Sequence, residues 1–165
     1  MEFREEISDI CTREQVECNP QDVKYGTYRV SKGVLVSAGY SNCNGIALLG
    51  NGWGALSHFD REHILPEQYT PRLIKNFQKK SKATDIRAVL IGGDPEHFET
   101  NRKILTAHSI PIVANHLDGW KDDDYTTCPT ENYDMVKTIA VIPSLQQILI
   151  YAGEKKALHY EAKGW

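Results

Sequence analysis

Between the apolar run Ile46–Leu49 and the stretch Trp53–Phe59 the chain carries Gly50-Asn51-Gly52. This triplet constrains the fold more than any other feature. Asn-Gly between two β-favouring runs is the strongest short-range signal for a hairpin. An antiparallel pair is therefore expected, with Ile46–Leu49 as one strand and Trp53–Phe59 as its return. Two further β-like runs precede it, Tyr25–Val30 and Gly33–Ala38, with Ser31-Lys32-Gly33 as the turn between them.

Beyond the hairpin the periodicity changes. Pro66 begins a helix, EQYTPRLIKNFQKKSKA, that places Leu73, Ile74 and Phe77 on one face. Pro71 fits only if it falls in the first turn, and Lys79, Lys80 and Lys82 suit the negative end of the helix dipole. A βαβ pattern follows: a strand at Ile86–Ile91, a turn at Gly92-Gly93-Asp94-Pro95, a helix at Glu96–His108 and a strand at Ile110–Ala114. The paired glycines lack the fingerprints of dinucleotide or nucleoside triphosphate binding, so they read as a close approach of backbone beside a site. His97 and His108, near the two ends of that helix, read as solvated or dipole-related. His116–Asp134 is polar and long for a connection, which marks it as functional or mobile. Strands at Val136–Ile142 and Gln147–Tyr151, joined at Pro143-Ser144, close the pattern. Residues 1–24 read as an N-terminal polar extension with a short helix and a loop, 25–153 as the domain proper, and 154–165 as a tail without an assignable pattern. The fold class is α/β in a single domain.

Composition narrows the function. The chain has 165 residues, 41% of them hydrophobic and 25% charged, with a net charge of −3. That balance gives no reason to expect nucleic acid or an anionic membrane as partner. No apolar stretch is long enough for a bilayer span, and the acidic start MEFREEISDI is not a Sec-type signal peptide. A cytoplasmic location is expected, or export as an effector by a route without such a signal. The four cysteines, Cys11, Cys18, Cys43 and Cys128, form no regular framework, which points to a reducing compartment.

Chemistry concentrates in the hairpin and the turn before it. Cys43 stands among small and turn-forming residues, with Asn42 before it and Asn44 and Gly45 after it. His58 lies on the return strand, where it can meet a thiol at the preceding turn, and a thiol needs such a partner to act as a nucleophile near neutral pH. Ser37, six residues before Cys43, supplies a hydroxyl that can orient the imidazole. Nucleophile, base and orienting group are the minimum set for acyl transfer. A cysteine beside apolar strands is most often a small buried hydrophobe; here the Cys–His spacing, the turn residues and the downstream βαβ pattern favour the nucleophile. Backbone N–H groups at Asn42, Asn44 and Gly45 are candidate oxyanion donors or turn formers. Trp53 and Trp120 read first as packing residues and second as walls facing a substrate, and His116 and Tyr125 join them as candidate substrate contacts. A zinc site from Cys43, His58, His116 and Cys128 lacks any close ligand pair, so no metal and no cofactor is expected.

Taken together, YSNC, ALSHF and VLVSAG, followed by AVLIGGD, SIPIVANHLDGW and KTIAVIPSLQQILIYAG, resemble the CheD-type chemoreceptor glutamine deamidases. They also resemble the wider group that includes the catalytic domain of cytotoxic necrotizing factor and related lethal-factor toxins. The likeness covers Val34 to Gly153. It implies mixed β-sheets in a sandwich-like core flanked by helices, with Cys43 as nucleophile, His58 as base and Ser37 at a position where the family commonly carries threonine. Ser41-Asn42-Cys43 stands where CheD reads glycine-serine-cysteine. The implied activity is deamidation of glutamine in a protein substrate, by a monomer, without cofactor. A catalytically silent binding member of the same fold, or a Cys–His transglutaminase or protease, are the alternatives.

Overall fold

The computed structural model describes residues 3–40, 43–60, 64–91, 94–116, 137–152 and 155–161. In chain order its elements begin with α1 (Phe3–Arg13), β1 (Gln21–Asp22), β2 (Thr27–Ser31), β3 (Leu35–Tyr40), β4 (Gly45–Gly50) and β5 (Trp53–His58). They continue with α2 (Pro66–Ser81), β6 (Arg87–Ile91), α3 (Pro95–Ala107), β7 (Ile112–His116) and β8 (Lys137–Ile142). A 3-10 turn at Pro143–Leu145 then leads to β9 (Gln147–Ala152) and β10 (Lys155–Glu161).

The strands form two five-stranded sheets, β1-β3-β8-β9-β10 and β2-β5-β4-β6-β7. Both are mixed: β1 runs parallel to β3, and β6 parallel to β7, while the remaining pairs are antiparallel. The hairpin closes as its turn residues require, with Gly50 opposite Trp53. The β6–α3–β7 unit supplies the parallel pair, with Ile91 opposite His116. Ser31-Lys32-Gly33 does not join two paired strands; it carries the chain from one sheet to the other. That crossover is what later sets Ser37 against His58.

The sheets stack face to face between helices. Leu35, Ile139, Val141, Ile148 and Ile150 of the first sheet meet Ala47, Leu49, Leu56, Val89 and Ile91 of the second in one buried cluster. The outer face of the second sheet, including Val30, Ile46, Leu48 and Leu90, is covered by Leu73, Ile74 and Phe77 of α2 and Phe98 and Leu105 of α3. The outer face of the first sheet, Val34, Val36, Ala140, Ile142 and Leu149, is covered by Ile7, Ile10 and Cys11 of α1. This is why β4 and β6 read as unbroken apolar runs: both of their faces are buried, so no polar alternation survives.

Three sequence readings change. Residues 1–24 are not an appendage, since α1 covers a sheet and Gln21–Asp22 pair with Leu35–Val36. The tail supplies β10, paired along β9. Pro71 lies inside α2, beyond its first turn. Between α2 and α3, Thr70 Oγ1 donates to Asn101 Oδ1 at 2.5 Å, and Asn101 Nδ2 donates to the Tyr69 hydroxyl at 3.0 Å. Tyr69 in turn stacks on Phe59, with centroids 3.8 Å apart, so both helices are tied to the residue that follows His58. No helix among the described residues is long and apolar enough to cross a membrane.

If α1 is part of the core, Ile7→Ala should cost about 2–5 kcal/mol, the usual range for emptying a buried isoleucine site. A urea denaturation midpoint measures it. An unchanged midpoint would return residues 1–24 to the status of an extension.

Candidate active site

Ser37, Cys43 and His58 are drawn to one end of the inter-sheet core by three separate devices. Ser37 belongs to β3 and shares the inner face with Leu35, two residues before it. Cys43 immediately precedes the Asn44–Phe59 bridge, which extends the β4–β5 ladder through Asn44 N–H to the Phe59 carbonyl (2.8 Å) and Phe59 N–H to the Asn44 carbonyl (2.9 Å). The same register sets Gly45 opposite His58, one residue beyond the bridge. Cys43 and His58 lie at the same end of the inter-sheet core, Cys43 in the cluster that also holds Tyr40 and His58 stacked on the Tyr40 ring; diagonal neighbours on such a ladder stand about 7–8 Å apart. Both are buried, 5% and 4% exposed.

The hydrogen bonds around Ser37 fix the histidine. Ser37 Oγ donates to the Val23 carbonyl at 2.7 Å and lies 2.9 Å from His58 Nδ1. A hydroxyl has one hydrogen, and here Val23 takes it. Ser37 can then only accept from the imidazole, so Nδ1 carries the proton and Nε2 keeps its lone pair. Nε2 is buried and has no hydrogen-bond partner among the described residues. Burial also sets the charge states: it pushes the His58 pKa down to about 4 and the Cys43 thiol up to about 11. Near neutrality the resting pair is a thiol and a neutral imidazole, not a preformed ion pair.

Tyr40, Tyr25 and Asp60 complete the surroundings, and sequence reading missed all three. Gly39, with φ +87, forms a bulge between Ala38 and Tyr40. The extra residue shifts the alternation of β3 by one, which turns Tyr40 inward. Its ring stacks on His58 with centroids 4.0 Å apart and planes at 16°, and its hydroxyl donates to the Ser57 carbonyl at 2.6 Å. Gly45 makes room for it, since a Cβ there would lie 2.6 Å from the Tyr40 ring and 2.7 Å from the Ser57 carbonyl. On the outer side Tyr25, 56% exposed, sits edge-on to His58 at 5.7 Å and donates its hydroxyl hydrogen to the Asp60 carboxylate. Lys137, only 6% exposed, stands opposite Tyr40 on β8. A lysine at the head of the apolar run KTIAVI was the one available signal.

The other sequence candidates separate. Asn44 is not an oxyanion donor through its backbone, because that N–H is bonded to Phe59; its side-chain oxygen instead accepts the Asp94 N–H at 3.3 Å. Asp94 caps α3 through Glu96 N–H. His97 is buried beside Asp94, with Nδ1 3.8 Å from the carboxylate, rather than solvated. Trp53 is not a wall of the site. It occupies the far end of β5, roughly 17 Å from His58 at strand spacing, and packs on the outer cluster with the Lys32 ammonium 5.3 Å over its ring. The backbone of His116 sits on the same row as His58 and Gly45, beyond Ile91. Asn42, Trp120, Tyr125 and Cys128 lie outside the described residues. Among the described residues, no three His, Cys, Asp or Glu side chains are grouped to hold a metal ion.

No family model matches this chain, and no curated protein does. Among solved structures, the chain is similar to a Neisseria meningitidis protein described under the family model DUF152. The TM-score is 0.43 at 11% identity, over 65% of this chain and 66% of that one. The chain therefore spans just under two thirds of that protein's length.

The two shifts define a stability window. Above pH 6.5 His58 is neutral both folded and unfolded; as pH falls from 6.5 toward 4 only the unfolded chain takes up the proton, so stability is lost. The Cys43 contribution is present below pH 9 and lost as pH rises toward 11, where only the unfolded chain ionises. Denaturation midpoints across pH should show His58→Gln with a shallower fall between pH 6.5 and 4 and Cys43→Ala with a shallower fall between pH 9 and 11. Superimposable profiles for wild type and both variants would contradict the burial account.

Proposed function

We propose that the chain is a cysteine hydrolase that converts a glutamine side chain in a protein substrate to glutamate, releasing ammonia. The observation that carries this reading is the relay from the Val23 carbonyl through Ser37 to His58 Nδ1, which leaves Nε2 as a bare, buried base at the same end of the inter-sheet core as the Cys43 thiol. The sequence likeness to glutamine deamidases supplies the substrate class.

On this reading the thiol does not ionise in advance. Cys43 Sγ attacks the amide carbon as its proton passes to His58 Nε2. The imidazolium formed keeps its Nδ1–H on Ser37, whose own hydrogen stays on Val23, so the positive charge is met by an oriented oxygen dipole. The tetrahedral intermediate collapses when Nε2 returns the proton to the departing nitrogen, giving ammonia and a thioester. Water, deprotonated by the same Nε2, attacks the thioester carbon and restores the thiol. The balance is glutamine plus water to glutamate plus ammonia. Donors for the oxyanion must be other than the Asn44 N–H.

A protein-borne glutamine suits the architecture for a simple reason. The reacting groups lie below the surface, so the substrate group must be a thin side chain able to reach past Tyr25. An amine in place of water at the second step would give transglutamination from the same thioester.

Ammonia release and peptide mass spectrometry on candidate substrate proteins test the proposal. Cys43→Ala should abolish the amide-to-acid mass gain. His58→Ala should lower turnover by about 10²–10⁴-fold, the usual contribution of a positioned base. Ser37→Ala should lower it by about 10- to 100-fold, since orientation is a smaller loss. Full turnover in Cys43→Ala would remove the thiol from the mechanism, and substrate binding without any mass gain would leave a binding protein.

A further inference from the structure

We propose that Tyr40 is a positioning residue for the His58 base: its ring, stacked face to face on the imidazole, fixes the ring plane and shuts out water, so that Nδ1 stays committed to Ser37 and Nε2 stays bare. The inference rests on the hydrolase reading for its consequence in turnover, but not for its geometry.

Three independent features place Tyr40 there. The bulge at Gly39 brings it to the inner face, since regular alternation from Ser37 would turn residue 40 outward with Val36 and Ala38. The missing side chain at Gly45 leaves the space that the ring fills, with no slack for a methyl group. The hydroxyl bond to the Ser57 carbonyl then pins the far edge of the ring to the backbone one residue before His58. Tyr40 is itself 2% exposed, so the ring is held on every side. A stacked ring permits the imidazole to slide little and to rotate out of plane not at all, whereas the single Ser37 contact would allow it to swing about that bond.

The stack also bears on protonation. A neutral imidazole loses little by lying against an apolar ring face, while an imidazolium there forfeits hydration. The other groups that face His58 are Ser37 from β3, Cys43 from the turn before β4, and Tyr25 from the segment before β2. Asp60 follows β5 and is tied to Tyr25, and Lys137 is opposite Tyr40 on β8. Asp60 would favour a charged histidine and Lys137 would disfavour one. Burial outweighs both, in the direction that lowers the pKa of the imidazole, and Tyr40 supplies the ring that covers its face.

The test replaces Tyr40 by Phe, Leu and Met, then follows the His58 Cε1–H resonance through a pH titration beside turnover. Tyr40→Phe keeps the ring, and His58 should titrate near 4 as in wild type. Tyr40→Leu should move that titration up toward 6.5 and lower kcat by about 10- to 100-fold with KM little changed. Tyr40→Met, which also lacks a flat ring to cover the imidazole face, carries the same expectation should the leucine variant not fold. A folded Leu or Met variant whose His58 still titrates near 4 would overturn the proposal. The titration needs no substrate, so it stands even if the wild-type chain releases no ammonia, and full wild-type turnover beside an unmoved titration would overturn Tyr40 alone.

Discussion

The bond between Ser37 and His58 is the constraint on which the site depends, because it crosses from one sheet to the other. Everything on either side must be in register for 2.9 Å to be met. On the first sheet, Ser37 is held by the Val23 carbonyl, and Val23 is held by its own N–H bond to Val36. On the second, His58 ends a strand whose neighbours are fixed by the hairpin at Asn51-Gly52 and by the Asn44–Phe59 bridge. The apolar cluster between the sheets sets their separation, and the relay measures it. A slip of one residue in either strand would turn Ser37 or His58 to the opposite face.

This dependence explains why the site sits at an edge of the core rather than on a loop. A hydroxyl, an imidazole and a thiol buried between two sheets are costly unless each has a role in a network. The cost is contained by making every proton's position definite. Ser37 gives its hydrogen to Val23 and receives one from Nδ1, and the thiol and imidazole stay uncharged. The protein thereby holds a thiol and an imidazole at one end of the core without burying a separated ion pair, which would need strong compensation. The outer helices add rigidity where the strands end: Asn101, Tyr69 and Phe59 form one chain of contacts to the residue beside His58.

Much of this was legible because it is local. The Asn-Gly turn announces β4 and β5, and the placing of Cys43 just before one strand and His58 on the return strand follows from the same hairpin. The helix at Pro66 and the β6–α3–β7 unit follow from periodicity. What was not legible depends on one residue or on partners far along the chain. Gly39 looks like any turn glycine, yet as a bulge it decides which way Tyr40 points. Gly45 reads as an oxyanion or turn residue; the space it leaves for that ring is a use the sequence does not signal. Gln21–Asp22 and Lys155–Glu161 carry too little pattern to read as strands, and only pairing with Leu35–Val36 and with β9 makes them so. Of the two readings of Trp53, the structure supports packing, because an extended strand sets its two ends as far apart as possible and leaves Trp53 on the outer cluster. Lys137, buried at the head of β8, is the kind of exception that hydropathy alone passes over.

The central claim is that His58 rests as a neutral base with its proton on Nδ1 and its lone pair on Nε2. Nitrogen-15 NMR of the imidazole ring, with histidine labelled and His58 assigned by comparison with His58→Gln, reads this directly. At neutral pH the two nitrogens should differ sharply, with a protonated, pyrrole-type Nδ1 and an unprotonated, pyridine-type Nε2, and they should converge only as pH approaches about 4. Two protonated nitrogens at neutral pH, or the proton on Nε2, would contradict the relay from Val23 through Ser37 and the chemistry built on it.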